Sequence, residues 1–212
     1  AGLGESVEEV ALIDCACIVV EMVQMRLGDG LPRADDDMDA DVFARVHRAV
    51  SAGQRVLLTL ADVSKTGMIT PSVACVTALH QQFPEQIIVL VDACQFRITP
   101  STLNAYLQQG YMVAVTGSKF ITGPTFSGAL LIPASVGQRL RQHPVPVSLR
   151  AYSARADWPS GWDVSLLSAD AFNYGLLLRW EAALAELLLF RAISEQAISK
   201  FLQNFSNEIF NK

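Results

Sequence analysis

The chain of 212 residues is 51% hydrophobic and 17% charged, with 16 Lys and Arg against 21 Asp and Glu for a formal charge of −5. That length suits one domain with a well-covered core, or at most two small ones. The composition excludes disorder, collagen-like repeats and a disulfide-dense scaffold, and an acidic chain without a basic run is a poor match for nucleic acid.

Taken in chain order, residues 6–11 read as the end of a helix, and residues 17–27 alternate well enough for a strand. Gly28-Asp29-Gly30 then turns the chain. The run Asp35-Asp36-Asp37-Met38-Asp39 leads into a helix over 40–52, whose Val42, Val46, Ala49 and Val50 share one face. Acidic residues there suit the positive N-terminal end of a helix. Asp37, Asp39 and Asp41 have the spacing of a calcium loop, but Val42 stands at its glycine position and Arg48 at its bidentate glutamate position, so a solvated helix start is the better reading.

Residues 55–60 form a short apolar strand, Pro71 opens a helix through about residue 82, and residues 86–91 form a nearly all-aliphatic strand. Pro100 opens the next helix, Gly110 stops it, and strands follow over 111–115 and 127–132, with a helix near 135–142. Strands without polar alternation, separated by helices of this length, predict an α/β fold: a mainly parallel sheet with helices on both faces. Residues 144–162 are irregular. Residues 168–209 are helical in pattern, with a break near 190–194, giving a helical C-terminal segment.

Mean hydropathy of +0.30 raises the question of a membrane span. The most apolar stretch, 175–193, contains Arg179, Glu181, Glu186 and Arg191 at helical spacing, which marks an amphipathic or buried helix. Residues 16–20 are too short to span, and no cationic stretch or small-residue cleavage site marks a signal peptide. Cys15, Cys17, Cys75 and Cys94 lie in apolar segments and fit no zinc spacing, so reduced thiols in a cytoplasmic protein are expected.

In parallel sheets ligands bind beyond the carboxyl ends of the strands. Three such ends carry polar residues: Ala61-Asp62-Val63-Ser64-Lys65-Thr66-Gly67, Asp92-Ala93-Cys94-Gln95, and Thr116-Gly117-Ser118-Lys119. No G-x-G-x-x-G follows a strand, and no G-x-S-x-G is present. Gly123 and Gly128 have P-loop spacing, but Ala129 and Leu130 replace the Lys and Ser/Thr that a phosphate cradle requires. His47, His80 and His143 lie far apart on helix patterns and support neither a metal site nor a triad. What remains is an aspartate and a lysine at successive strand ends. A lysine amine can join a carbonyl as a Schiff base, and pyridoxal phosphate uses one together with an acid at its pyridine nitrogen.

Val89-Leu90-Val91-Asp92-Ala93-Cys94-Gln95, then Val115-Thr116-Gly117-Ser118-Lys119, Gly123-Pro124 and Ser127-Gly128-Ala129-Leu130 resemble the class V aminotransferase and cysteine desulfurase group of fold-type I pyridoxal phosphate-dependent enzymes. That group shows an aliphatic strand, D-x-x-Q, then S-x-H-K about one βα unit later, then G-P and G-x-L. Val63-Ser64-Lys65-Thr66-Gly67 looks like its upstream S-x-T-G or N-x-x-G turn. The resemblance covers about residues 56–132 and, more weakly, the helix at 173–189.

The resemblance implies pyridoxal 5'-phosphate as cofactor and an amino acid or amine as substrate. Lys119 would be the Schiff-base lysine and would carry the substrate's α-proton; Asp92 would pair with the pyridinium nitrogen. Gln95 would approach the phenolic oxygen, Thr116 and Ser118 would lie near the phosphate, and Ser64 would contact the cofactor's edge. Residues 1–145 would then be most of the large domain, 146–167 a connector, and 168–212 a helical segment leading toward a small domain. A homodimer is implied, with neither nucleic acid nor membrane as partner.

The departures are specific. Ser118 replaces the histidine, one extra residue separates Lys119 from Gly123-Pro124, and no cysteine follows Cys94, which counts against desulfuration. The phosphate-binding turn, the ring-stacking aromatic and the small domain's carboxylate-binding arginine are not in the chain; Arg150 and Arg155 stand in the irregular stretch, where surface arginine is the default. The expectation is a fragment incomplete at both ends. Two rivals stay open: a non-catalytic relative acting as a binding or regulatory subunit, and an unrelated α/β domain for a small phosphorylated ligand.

Overall fold

The structure is a computed structural model and describes residues 18–143, 145, 149, 153–165, 167 and 172–210. Helix α1 spans Asp35–Ser51, and Met38, Val42 and Val46, one turn apart, are its buried residues. Its first turn is Asp35, Asp36 and Asp37, with Arg48 in the last turn, so both ends oppose the macrodipole. The acidic run is therefore part of the helix and not a prelude to it.

Strand β1 (Val56–Ala61) leads into α2 (Val73–Gln82), whose Ser72 cap accepts from the Cys75 N–H. Strand β2 (Ile87–Asp92) is followed by α3 (Pro100–Gln108), capped by Thr99 with proline in its first turn. Gly110, at φ +82°, ends that helix in a conformation that a side chain would strain. Strands β3 (Met112–Thr116) and β4 (Gly128–Leu131) and helix α4 (Ala134–Leu140) follow.

The strand expected over 17–27 does not form in its described part, residues 18–27. That segment makes only an isolated bridge between Arg26 and Pro32. Its anchors are polar: Glu21 pairs with Arg45 of α1 at 2.7 Å, and Arg33 reaches back to the Gln24 carbonyl. Alternation without a neighbouring strand edge is not enough to make a strand. The helix end expected at 6–11 lies outside the described residues.

The sheet runs β1-β2-β3-β4, parallel through the first three strands and antiparallel at β4. Leu58, Leu60, Ile87, Val89, Val91, Val113 and Val115 form one buried face, packed with Val42 and Val46 of α1, Val76 and Leu79 of α2, and Tyr106 of α3. The expectation of helices on both faces is corrected here: α1, α2 and α3 share this one face. Neighbouring parallel strands taken in chain order, joined by crossovers of one hand, put successive helices on the same side. The opposite face shows Leu57 at 60% and Leu130 at 48% exposure, with Ile88, Leu90, Met112 and Ala114 half-buried.

The helical C-terminal segment resolves into α5 (Tyr174–Arg191) and α6 (Glu195–Phe210), broken where expected. Helix α5 buries one residue, Ala183, against the loop that follows β3. Helix α6 buries none and exposes Phe201, Leu202, Phe205 and Ile209. Among the described residues no helix is long and apolar enough to cross a membrane.

Candidate functional site

Because β1, β2 and β3 are parallel, their carboxyl ends lie side by side, and each carries one of the polar segments read from the sequence. Asp92 closes β2 on the same side of the sheet as Ile88 and Leu90, away from the helices, and is exposed. Its Oδ1 accepts the Cys94 N–H at 3.0 Å in a local turn. The next peptide is pinned to β3, with the Ala93 N–H donating to Ala114 at 3.0 Å. Gln95 is half-buried in the tight turn closed by the Phe96 N–H to the Ala93 carbonyl.

Cys94 reports what surrounds it. Burial pushes its thiol up to about 11, the Asp92 carboxylate adds to the rise through a hydrogen bond and its charge, and the Lys119 ammonium opposes it. Asp92 and Lys119 therefore both act electrostatically on one thiol at the β2 end, although among the described residues they form no direct ion pair. A thiol so raised is protonated near neutral pH and is a weak nucleophile.

The β3 end is a compact loop. Thr116 and Ser118 share a hydroxyl hydrogen bond at 2.8 Å, and the Ser118 N–H donates to Thr116 Oγ1. The Gly117 N–H donates to the Ser127 carbonyl, and the Gly123 N–H returns to the Gly117 carbonyl at 2.8 Å. A Cβ at Gly117 would stand 2.5 Å, and one at Gly123 2.6 Å, from the Ala183 Cβ. Only glycine permits that approach of α5. Within this loop Lys119 is exposed, and Phe120 beside it meets Phe190 of α5 edge-on at 5.3 Å and lies under the Arg97 guanidinium at 5.6 Å.

Asp92, Gln95, Thr116, Ser118 and Lys119 are thus gathered on two neighbouring strand ends. Ser64 lies one strand further, beyond Ala61, which pairs with Asp92. Its hydroxyl is held in its own turn, accepting the Met68 N–H at 3.0 Å. Arg155 is occupied by the Val164 and Ser165 carbonyls, and Arg150 lies outside the described residues. Among the described residues no group of His, Cys, Asp and Glu is placed to hold a metal ion.

Three features were not read from the sequence. Asp62, at the end of β1, is only 3% exposed and accepts the Tyr106 hydroxyl at 2.6 Å. Its signal was present, an acid directly after a buried strand as at Asp92, but its partner is remote in the chain. Arg97 over Phe120, and the seat of α5 on Gly117 and Gly123, likewise depend on elements brought together only by folding. No protein-family model matches the chain, and neither a curated protein nor a solved structure matches it.

Proposed function

We propose that this chain carries the cofactor-binding core of a pyridoxal phosphate-dependent transferase, similar to class V aminotransferases, acting on an amino acid or amine. The observation that carries the reading is the placement of Asp92 and Lys119 at the ends of adjacent parallel strands, both open to solvent and both felt by Cys94. The donor set suits the cofactor: an amine for its aldehyde, a carboxylate for its ring nitrogen, and the Thr116 and Ser118 hydroxyls for its phosphate. Bound there, pyridoxal phosphate supplies an electron sink for negative charge at a substrate carbon.

The chain's own residues would divide the work. Lys119 would be the residue that holds the cofactor's aldehyde, and its amine would move the proton at the substrate's α-carbon. Asp92, whose Oδ1 accepts the Cys94 N–H, would be the partner of the ring nitrogen. Gln95 would donate toward the phenolic oxygen. Cytoplasmic location and a homodimer belong to the same reading.

One observation favours a second reading, a scaffold that binds without catalysis. The Thr116 and Ser118 hydroxyls share a bond with each other, and Ser64 accepts within its own turn, so all three expected contacts already have an internal partner. One experiment separates the readings. The full chain is incubated with pyridoxal 5'-phosphate, reduced with borohydride and mapped by peptide mass. The expected result is a reduced adduct on Lys119, abolished in Lys119→Ala, with a spectral change on adding amino acids. An adduct without that change selects the scaffold. Labelling spread over surface lysines, with Lys119 not preferred, overturns both.

A further inference from the structure

We infer that Asp62 and Tyr106 are positioning residues that hold Asp92 in place at the candidate site, an inference that rests on the role proposed for Asp92. Asp62 is the one buried carboxylate among the described residues. Burying a carboxylate is costly unless hydrogen bonds compensate it, so its presence calls for a reason beyond filling space. Its position supplies one. The Asp62 N–H donates to the Asp92 carbonyl at 3.0 Å, one residue past the last pairing of β1 with β2. Its side chain, in the same residue, takes the Tyr106 hydroxyl at 2.6 Å, a charge-assisted bond.

Asp62 therefore ties the end of β1, the end of β2 and helix α3 together. Tyr106 is itself fixed, 4% exposed and stacked on Tyr111 with ring centroids 6.2 Å apart. Tyr111 is fully buried, and its hydroxyl donates to Thr77 of α2. On the far side of Asp92, the Ala93 N–H is held by Ala114 of β3. The backbone at Asp92 is consequently clamped from both neighbouring strands, and only its side chain is left to face a ligand. Support of this kind is what a charged group needs if it is to meet a ring nitrogen at a fixed distance.

The test uses the full chain and two variants. Tyr106→Phe removes the hydroxyl and keeps the ring stack; Asp62→Asn keeps both the acceptor for Tyr106 and the backbone N–H. Amide hydrogen exchange is measured without cofactor, and affinity for pyridoxal 5'-phosphate by its absorbance on titration. In Tyr106→Phe the Asp62 and Cys94 amides should exchange about tenfold faster, and cofactor affinity should fall about tenfold, the size of one lost hydrogen bond. The Leu60, Val91 and Val113 amides should stay protected, and Asp62→Asn, which keeps the bond without the charge, should lose less than Tyr106→Phe. Unchanged exchange at Asp62 and Cys94 overturns the inference. So does equal acceleration of every core amide, which would make the pair a requirement of the fold alone, and so does a loss in Asp62→Asn equal to that in Tyr106→Phe. A wild-type chain that takes up no pyridoxal phosphate sinks the proposed function instead, and the exchange arm still decides whether the pair holds the β2 end.

Discussion

The two faces of the sheet are built from alternate residues of the same strands, yet they do different things. Leu58 and Leu60 of β1 are buried beneath α1 and α2, while Leu57 on the other side is 60% exposed. Both sets are aliphatic. What separates them is coverage, set by the side to which the crossovers return. The covered face holds the packed core, and the other face ends, at the strand carboxyl ends, in Asp92 and Thr116. Stability and candidate chemistry thus occupy opposite sides of one sheet, joined where Asp62 and Gly117 reach the same strand ends from the helix side.

The comparison can be broken most directly in β1. Leu60→Ala should cost about 2–5 kcal/mol in chemical denaturation, the usual range for a buried leucine, whereas Leu57→Ala should stay within about 0.5 kcal/mol. Similar losses at the two positions would show that the second face is covered in solution. Next in size is Gly123→Ala. Its Cβ would meet the Ala183 Cβ at 2.6 Å and the Gly117 carbonyl at 2.7 Å, and overpacking of this kind costs about 1–3 kcal/mol. Thermal melting reads the loss; an unchanged melting point would mean that α5 is not seated on the loop.

The smallest effect lies on the covered side. Burial, then the Arg139 charge, lowers the His80 pKa below 6.5. The folded state therefore binds the proton less well than the unfolded chain. Stability should fall as pH drops below 6.5, continue falling to the lowered pKa, and level off beneath it. His80→Gln should flatten that slope in denaturation curves taken between pH 7 and pH 5, values chosen to bracket about the ordinary histidine range. A slope unchanged in the variant would assign it to other groups.

How much of this was legible beforehand differs by element. Strands β2 and β3 could be read because both are short aliphatic runs bounded by Pro, Gly and polar turns. The helix break after Arg191 was legible from the weakening of the apolar pattern. The start of α1 was placed too late, since the acidic run was read as leading into the helix at Ala40, whereas Asp35, Asp36 and Asp37 form its first turn. The more exposed face was not legible at all: Leu57 and Leu58 are the same residue type, and only strand order and crossover direction tell them apart. At the candidate site, Asp92 and Lys119 stood out by position in the chain. Tyr106 did not, because its aspartate partner follows β1, with α2 and β2 between it and α3, and is invisible to any local pattern.

The seat of Ala183 on Gly117 and Gly123 has a consequence for the order in which the molecule is made. The four strands and the helices between them leave the ribosome well before α5 does. The core can be packed at that stage, while the loop carrying Lys119 still lacks the helix that closes over it. A nascent chain halted before Tyr174 would thus hold a finished sheet and an unfastened lysine. Synthesis itself therefore sets the packed sheet ahead of the helix that closes over its Lys119 loop.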